Sequence, residues 1–355
     1  MVTSYRCEDL TVLTVASSWR HRITLMVQIR TAYILSSGHS GSTLLNLLLG
    51  GHPTIVPVGE ITHLPKNLAL NTLCSCGTPV RTCGFWQPIV SQFGQQVGRD
   101  LSTDPYAMRL GFIGATRVVD PKVMTPAYRR AWKVRHGAAF LRARAGITPL
   151  PSLLARFDEA CRNTLALFES VRALTGAQVV VDASKDYLKG LGLYRLDPKR
   201  TRLILLTRDG RGVFYSGVRS GLTRQDALRR WVNYYSRTMP LIARNVRPEG
   251  VLRIRYEDLA TATATTLQGL CAFLQLDYTP AMLELHARPA HITNGNGMRL
   301  RRDRVIALDQ SWRSNLDPAD RAYFNQHAGA LNAKLGYDDP ASPATARVSG
   351  AERFP

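Results

Sequence analysis

Three groups of residues have types and spacings suited to handling an oxyanion. The stretch Ser37-Gly38-His39-Ser40-Gly41-Ser42-Thr43 runs directly into Leu44 and an apolar segment ending at Leu49. Its glycines let a backbone approach an anion closely, its hydroxyls add donors, and a helix start there would aim unsatisfied N–H groups and a favourable dipole at negative charge. A nucleotide loop of the form Gly-x4-Gly-Lys-Ser/Thr would carry a lysine, and none stands here. Further on, Arg208 and Ser216 lie eight positions apart after an aliphatic run. A guanidinium fork and a hydroxyl about two helical turns beyond it can converge on one dianion. Glu60 in Gly59-Glu60, and Lys185 in Asp182-Ala183-Ser184-Lys185-Asp186, complete the set. A carboxylate with its pKa raised by partial burial can take a proton from a hydroxyl, and a cation can neutralise charge on a departing oxygen.

Cys74, Cys76 and Cys83 form a compact Cys-x-Cys-x6-Cys knot. Zinc would need a fourth ligand, for which His63 is the nearest candidate, and the first spacing is tighter than the usual Cys-x2-Cys. The knot is therefore read as a packed loop, with no metal assigned. The run Arg129, Arg130, Lys133, Arg135, Arg142, Arg144 is read first as a solvated face and second as a grip on an anionic acceptor.

These residues need a scaffold. Segments 32–36, 178–182, 202–207 and 251–255 are rich in β-branched and aliphatic residues, each followed by a turn or helix signal, as in a parallel α/β sheet. The first three end in the residues above, at the carboxyl edge where open α/β sheets bind ligands. The long stretch between the first two segments must hold an inserted helical region, about 94–176. Within it Leu153, Leu154, Phe157, Cys161, Leu165, Phe168, Val171 and Leu174 recur at helical spacing, with Gly176 as a stop. The expected organisation is a poorly ordered segment 1–30, one domain 31–337 and a disordered tail 338–355.

The chain has 355 residues, 45% hydrophobic and 20% charged, and no apolar run long enough to span a membrane. Lys and Arg number 46 against 26 Asp and Glu, a net charge of +20, which attracts anions without choosing among them. Six cysteines are too few for a disulfide scaffold, and Glu8 and Asp9 precede the apolar stretch 10–16 where an export signal carries Lys or Arg. A cytoplasmic location is expected.

The loop 38–45 resembles the 5′-phosphosulfate loop, Pro-Lys/Arg-Ser-Gly-Thr-Thr-x-Leu, of sulfotransferases that use 3′-phosphoadenosine 5′-phosphosulfate (PAPS), with His39 in place of the usual Lys or Arg. Arg208 with Ser216 is similar to that family's 3′-phosphate site. The resemblance implies a P-loop NTPase-like parallel sheet flanked by helices, with the helical insertion between its first two core strands. It also implies PAPS as donor, 3′,5′-adenosine bisphosphate (PAP) as product, and no metal. The order loop, helix, His52-Pro53, Gly59-Glu60 is similar to the tyrosylprotein sulfotransferases and implies Glu60 as general base. Lys185 and His39 are implied at the oxygen bridging sulfur to phosphate.

Thr62-His63-Leu64-Pro65 mimics the base motif of cytosolic small-molecule sulfotransferases, but it lies too close behind the loop and is read as a chance match. Tyr256 in Tyr256-Glu257-Asp258 is implied near the nucleotide. Gly295-Asn296-Gly297-Met298-Arg299 and Trp312-Arg313 resemble a basic cofactor-closing loop of bacterial relatives, although the family's Gly-x-x-Gly-x-x-Lys form is absent. The acceptors left open are carbohydrate, lipid-linked sugar, small alcohol or phenol, and peptide tyrosine. The alternatives are a small-molecule kinase with a degenerate loop and a basic nucleic-acid-binding protein.

Overall fold

The computed structural model describes residues 28–111, 125–147, 150–286, 288–301, 303–337 and 352–353. Residues 1–27, and 338–351 with 354–355, lie outside them, so the expectations for the two ends fall largely beyond what is described. The chain begins with β1 (Thr31–Leu35), α1 (Ser42–Gly50), β2 (Ile55–Gly59) and α2 (Leu64–Ala69). The helices α3 (Trp86–Val97), α4 (Pro126–Ala145) and α5 (Pro151–Thr175) follow. Next come β3 (Val179–Asp182), α6 (Tyr187–Leu196), β4 (Thr201–Thr207), α7 (Gly210–Arg219), α8 (Arg224–Asn245) and β5 (Val251–Arg255). The last elements are α9 (Tyr256–Thr261), α10 (Thr263–Phe273), α11 (Trp312–Asn315), α12 (Pro318–Lys334) and β6 (Glu352–Arg353).

The strands pair in the order β2-β3-β1-β4-β5-β6, parallel throughout except for the antiparallel β6. The chain leaves β1 toward β2 and leaves β4 toward β5, so a crevice opens between their carboxyl ends, the place where open α/β sheets bind ligands. Side chains alternate across the sheet. Tyr33, Leu35, Leu203 and Leu205 pack with α5, α6 and α8 on one face, and Ala32, Ile34, Ile204 and Leu206 pack with α1 and α10 on the other. A third cluster joins Trp86, Ile89 and Phe93 of α3 to Leu167, Phe168 and Val171 of α5.

The parallel α/β architecture expected from the sequence is present, with one parallel strand more than was read and the short antiparallel β6 at the far edge. Residues 55–59 form β2, so the helical region expected at about 94–176 lies between β2 and β3. In α5 the expected stripe is buried at Leu154, Phe157, Cys161, Phe168 and Val171, and Gly176 closes the helix in the left-handed region at φ 71°. Leu174 departs from the stripe and is 48% exposed.

Candidate active site

The loop after β1 is built to hold its amides outward. Ser37 Oγ and Ser40 Oγ are 2.9 Å apart, which turns both hydroxyls inward, and Ser40 is fully buried. His39 and Gly41 take left-handed backbones at φ 62° and 90°. The Tyr256 ring lies where a side chain on Gly41 would collide with it, so glycine is required there. Helix α1 then starts with no side-chain cap and no acidic residue in its first turn, leaving its first N–H groups available to an anion.

That helix start opens into a cavity of about 620 Å³ lined by Gly38, His39, Gly41, Ser42, Thr43 and Leu44 from the loop. Lys185 after β3, Arg208 after β4, Ser216 on α7 and Tyr256 after β5 line the same cavity. Residues from four strand ends and α7, dispersed over more than 200 positions, thus face one space. Arg208 stacks on Tyr256, 4.5 Å from the ring centroid, and donates to the His39 carbonyl at 2.9 Å. Its other nitrogen donates to both the carbonyl and the Oδ2 of Asp309, each at 2.9 Å. Tyr256 fixes that partner, because its hydroxyl donates to the Ala307 carbonyl at 3.2 Å and accepts from the Asp309 amide at 2.9 Å.

Beside this space stands the Glu60–Lys185 ion pair. Glu60 Oε2 also accepts from Asn294 Nδ2 at 2.8 Å and lies 3.7 Å from His63 Nε2. Glu60 is placed by Gly59, whose φ of 74° and close approach to Ile292 exclude a side chain. Lys185, at φ 68°, is anchored by Tyr234, whose hydroxyl donates to its carbonyl at 2.8 Å. Beneath the pair, Ser184 accepts from the Thr62 amide and donates to Asp182 Oδ1, and the buried Lys189 donates to Thr62 Oγ1 at 2.8 Å and to the Leu110 carbonyl. Burial pushes the Asp182 carboxyl up and the Lys189 amine down, each partly countered by the other's charge.

Partial desolvation, then the charges of Lys185, Arg208 and Arg230, lower the His39 imidazole below its ordinary 6.5. His39 is thus a neutral hydrogen-bonding group near pH 7, not the cation found in the resembling loops. His63 is also lowered, by burial first, with Glu60 opposing.

Four of the expected site residues do not line the cavity: Ser40 is buried behind the loop, Glu60 stands beside the space, and Arg299 and Arg313 lie apart from it. Arg299 donates to the carbonyls of Leu73 and Ile292, and Arg313 is exposed beside Trp312, 5.0 Å from its ring. Arg301 and Arg304 line the cavity instead. The sequence reading missed Asn294, which touches Glu60, and Asp309, which occupies Arg208. It noted the neighbouring Gly295-Asn296, and Asn296 donates its amide to Thr43 Oγ1 at 3.1 Å. A lone Asn or Asp in a loop has no periodicity to mark it. Nor does His63 meet the cysteines: it stands at Glu60, and the imidazole beside Cys74 and Cys83 is that of His291.

Residues 121–280 match the profile described as the Sulfotransferase family. The sulfotransferase domain of the Synechococcus PCC 7002 olefin synthase aligns at 20% identity over 88% of this chain and 97% of that one, with a TM-score of 0.42. The sulfotransferase domain of the curacin biosynthetic pathway aligns at 18% identity over 88% and 99%, with a TM-score of 0.47. A sulfotransferase from Alicyclobacillus acidocaldarius aligns at 15% identity over 88% and 98%, with a TM-score of 0.37. No curated protein matches the chain significantly.

Proposed function

We propose, for a chain whose residues 121–280 carry the pattern of the sulfotransferase family, that the donor is PAPS and that the acceptor is a hydroxyl. The observation that carries this reading is one cavity lined by both an uncapped helix start and the Arg208–Ser216 pair, with Lys185 between them and Glu60. The donor set suits a ligand with anionic groups at two ends. The amides opening α1, with the hydroxyls of Ser42 and Thr43, would hold the 5′-phosphosulfate, and Gly38, open on its Cβ side, leaves room for close approach. Arg208 and Ser216 would hold the 3′-phosphate, with Tyr256 supporting the guanidinium. Bound there, PAPS supplies an activated sulfuryl group and leaves as PAP.

The chain's own part is to position and to move a proton. Glu60, through a carboxylate oxygen, takes the proton of the acceptor hydroxyl, and Asn294 holds that carboxylate in place. Lys185 Nζ, released from Glu60, offers its charge to the bridging oxygen. His39 contributes a hydrogen bond, and it gains charge only as the bound dianion raises its pKa. Positioning and charge stabilisation of this kind supply most of the acceleration in such transfers.

A kinase reading is not favoured, because the loop lacks the nucleotide lysine and ATP has no phosphate for a dedicated Arg208. A nucleic-acid reading rests on net charge alone. Among the described residues no helix is long and apolar enough to cross a membrane. Carbohydrate, lipid-linked sugar, small alcohol or phenol, and peptide tyrosine all present the required hydroxyl, and mass spectrometry of extracts given enzyme and labelled PAPS sorts them.

Calorimetry tests the donor. PAP should bind far more tightly than ATP, and Arg208→Ala should weaken PAP by about 1.5 to 3 kcal/mol, the usual range for hydrogen bonds to charged groups. Equal affinity for the two nucleotides, or a magnesium-dependent preference for ATP, overturns the reading.

A further inference from the structure

The cysteines that the reaction leaves unused converge with a histidine more than 200 positions away. Cys76 Sγ is 3.7 Å from Cys83 Sγ, and His291 Nδ1 is 3.7 Å from Cys74 Sγ and 3.5 Å from Cys83 Sγ. All four donor atoms lie within 4.8 Å of one another. Zinc–sulfur bonds of about 2.3 Å and a zinc–nitrogen bond of about 2.05 Å, set tetrahedrally, give S···S edges near 3.8 Å and S···N edges near 3.6 Å. The three close separations match those edges, and the remaining ones stay within 4.8 Å. They are far longer than the roughly 2.05 Å of a disulfide, and all three thiols are free.

The surroundings hold the donors in this arrangement. Cys74-Ser75-Cys76-Gly77 folds as a tight knuckle, in which the Gly77 amide donates to the Cys74 carbonyl at 2.9 Å and Gly77 takes φ 88°. The His291 ring stacks on Phe85 at 4.5 Å between centroids with planes 1° apart, and Trp86 Nε1 donates to the His291 carbonyl. Cys74 and Cys83 are buried while Cys76 is exposed, which gives an ion access from one side.

We propose that Cys74, Cys76, Cys83 and His291 bind one structural zinc ion. Four protein ligands close the coordination shell, so the ion keeps no position for a substrate. On binding, the thiols lose their protons to solvent. The ion would pin the knuckle to the segment beginning at His291, which Ser75 already grips through bonds to Ala290 and Ile292. Within the next five residues that segment presents Asn294 to Glu60 and Asn296 to Thr43. The zinc therefore braces one wall of the candidate active site, a consequence that rests on the proposed function although the binding itself does not.

Metal analysis by mass spectrometry of the full chain, purified without chelator, should find about one zinc per chain. Cobalt exchanged into the site should show the intense absorption of thiolate–cobalt charge transfer. Cys76→Ser, at the exposed ligand, and His291→Ala should each lose the zinc to a mild chelator that leaves it in the wild type. Cys161→Ser, a buried thiol elsewhere in the core, should keep it. A wild-type chain that takes up neither zinc nor cobalt, a native Cys76–Cys83 disulfide, or zinc kept undiminished in both ligand variants overturns the proposal. Should His291→Ala fail to fold, the wild-type metal content, the cobalt spectrum and Cys76→Ser still decide. A failure of PAP to bind would leave the zinc result untouched, so the two readings fail separately.

Discussion

Glu60 and His63 are 3.7 Å apart, and either could in principle take an acceptor proton. Only Glu60 also contacts Lys185 and Asn294, which fix its orientation toward the cavity wall. Glu60→Gln keeps the side chain's shape and removes the proton acceptor, so PAP affinity should persist while kcat falls roughly 10²–10⁴-fold. His63→Ala should cost far less. Normal turnover in Glu60→Gln beside a folded but inactive His63→Ala would move the base to His63. His39 makes a separate prediction about pH. In the free protein its pKa lies below 6.5, held down by partial desolvation and by the cations Lys185, Arg208 and Arg230. A bound dianion favours the imidazolium and raises that pKa, so affinity should increase as pH falls through the bound value toward the free one. Between about pH 8 and 6, the range of histidine titration, PAP affinity of the wild type should rise relative to that of His39→Gln. Parallel curves would show that His39 gains no charge on binding.

Among the elements, β2 shows why a parallel strand escaped the sequence reading while four were legible. The segment read as 32–36 is shifted by one residue from β1, those read as 178–182 and 202–207 differ from β3 and β4 by one residue at the start, and β5 matches. Each is an aliphatic run followed by a turn or helix, the pattern of a strand buried on both faces. By contrast β2 is five residues with Pro57 at its centre, and it stands at the sheet's edge, paired only with β3. An edge strand tolerates a proline because one side of its ladder faces no partner, yet the same proline argues against a strand in the bare sequence. Glu60 was legible as a motif residue, but the reason for its position was not. Gly59→Ala would set a side chain at φ 74° and drive its Cβ to 2.6 Å from Ile292 Cγ2. It should cost about 1–3 kcal/mol in thermal or chemical unfolding and reduce kcat by displacing Glu60. A variant as stable and active as the wild type would show that this backbone relaxes freely.

At the scale of the whole molecule, the net charge of +20 predicts a rate effect rather than a fold. Association of PAP, followed by stopped flow, should slow about tenfold or more between low salt and about 1 M salt, where screening shortens to about 3 Å. A salt-independent rate would mean that the field around the cavity is already neutralised by its own carboxylates. The residues that line the cavity from strand ends were legible because motif and strand coincide there. Asp309, Asn294 and His291 were not, because their roles come only from tertiary contact with residues far away in sequence. The contact between Asp309 and Arg208 has a consequence for timing. The Arg208 guanidinium donates to the carbonyl of His39 and to Asp309. An anion bound at Arg208, as proposed above, would have to displace that carboxylate, so its apparent affinity would be lower than the bare fork would give. The displaced carboxylate would remain tethered close by, ready to retake the fork as product leaves. The latch would thus shorten the residence time of spent nucleotide and keep the emptied site from lingering on stray sulfate or phosphate.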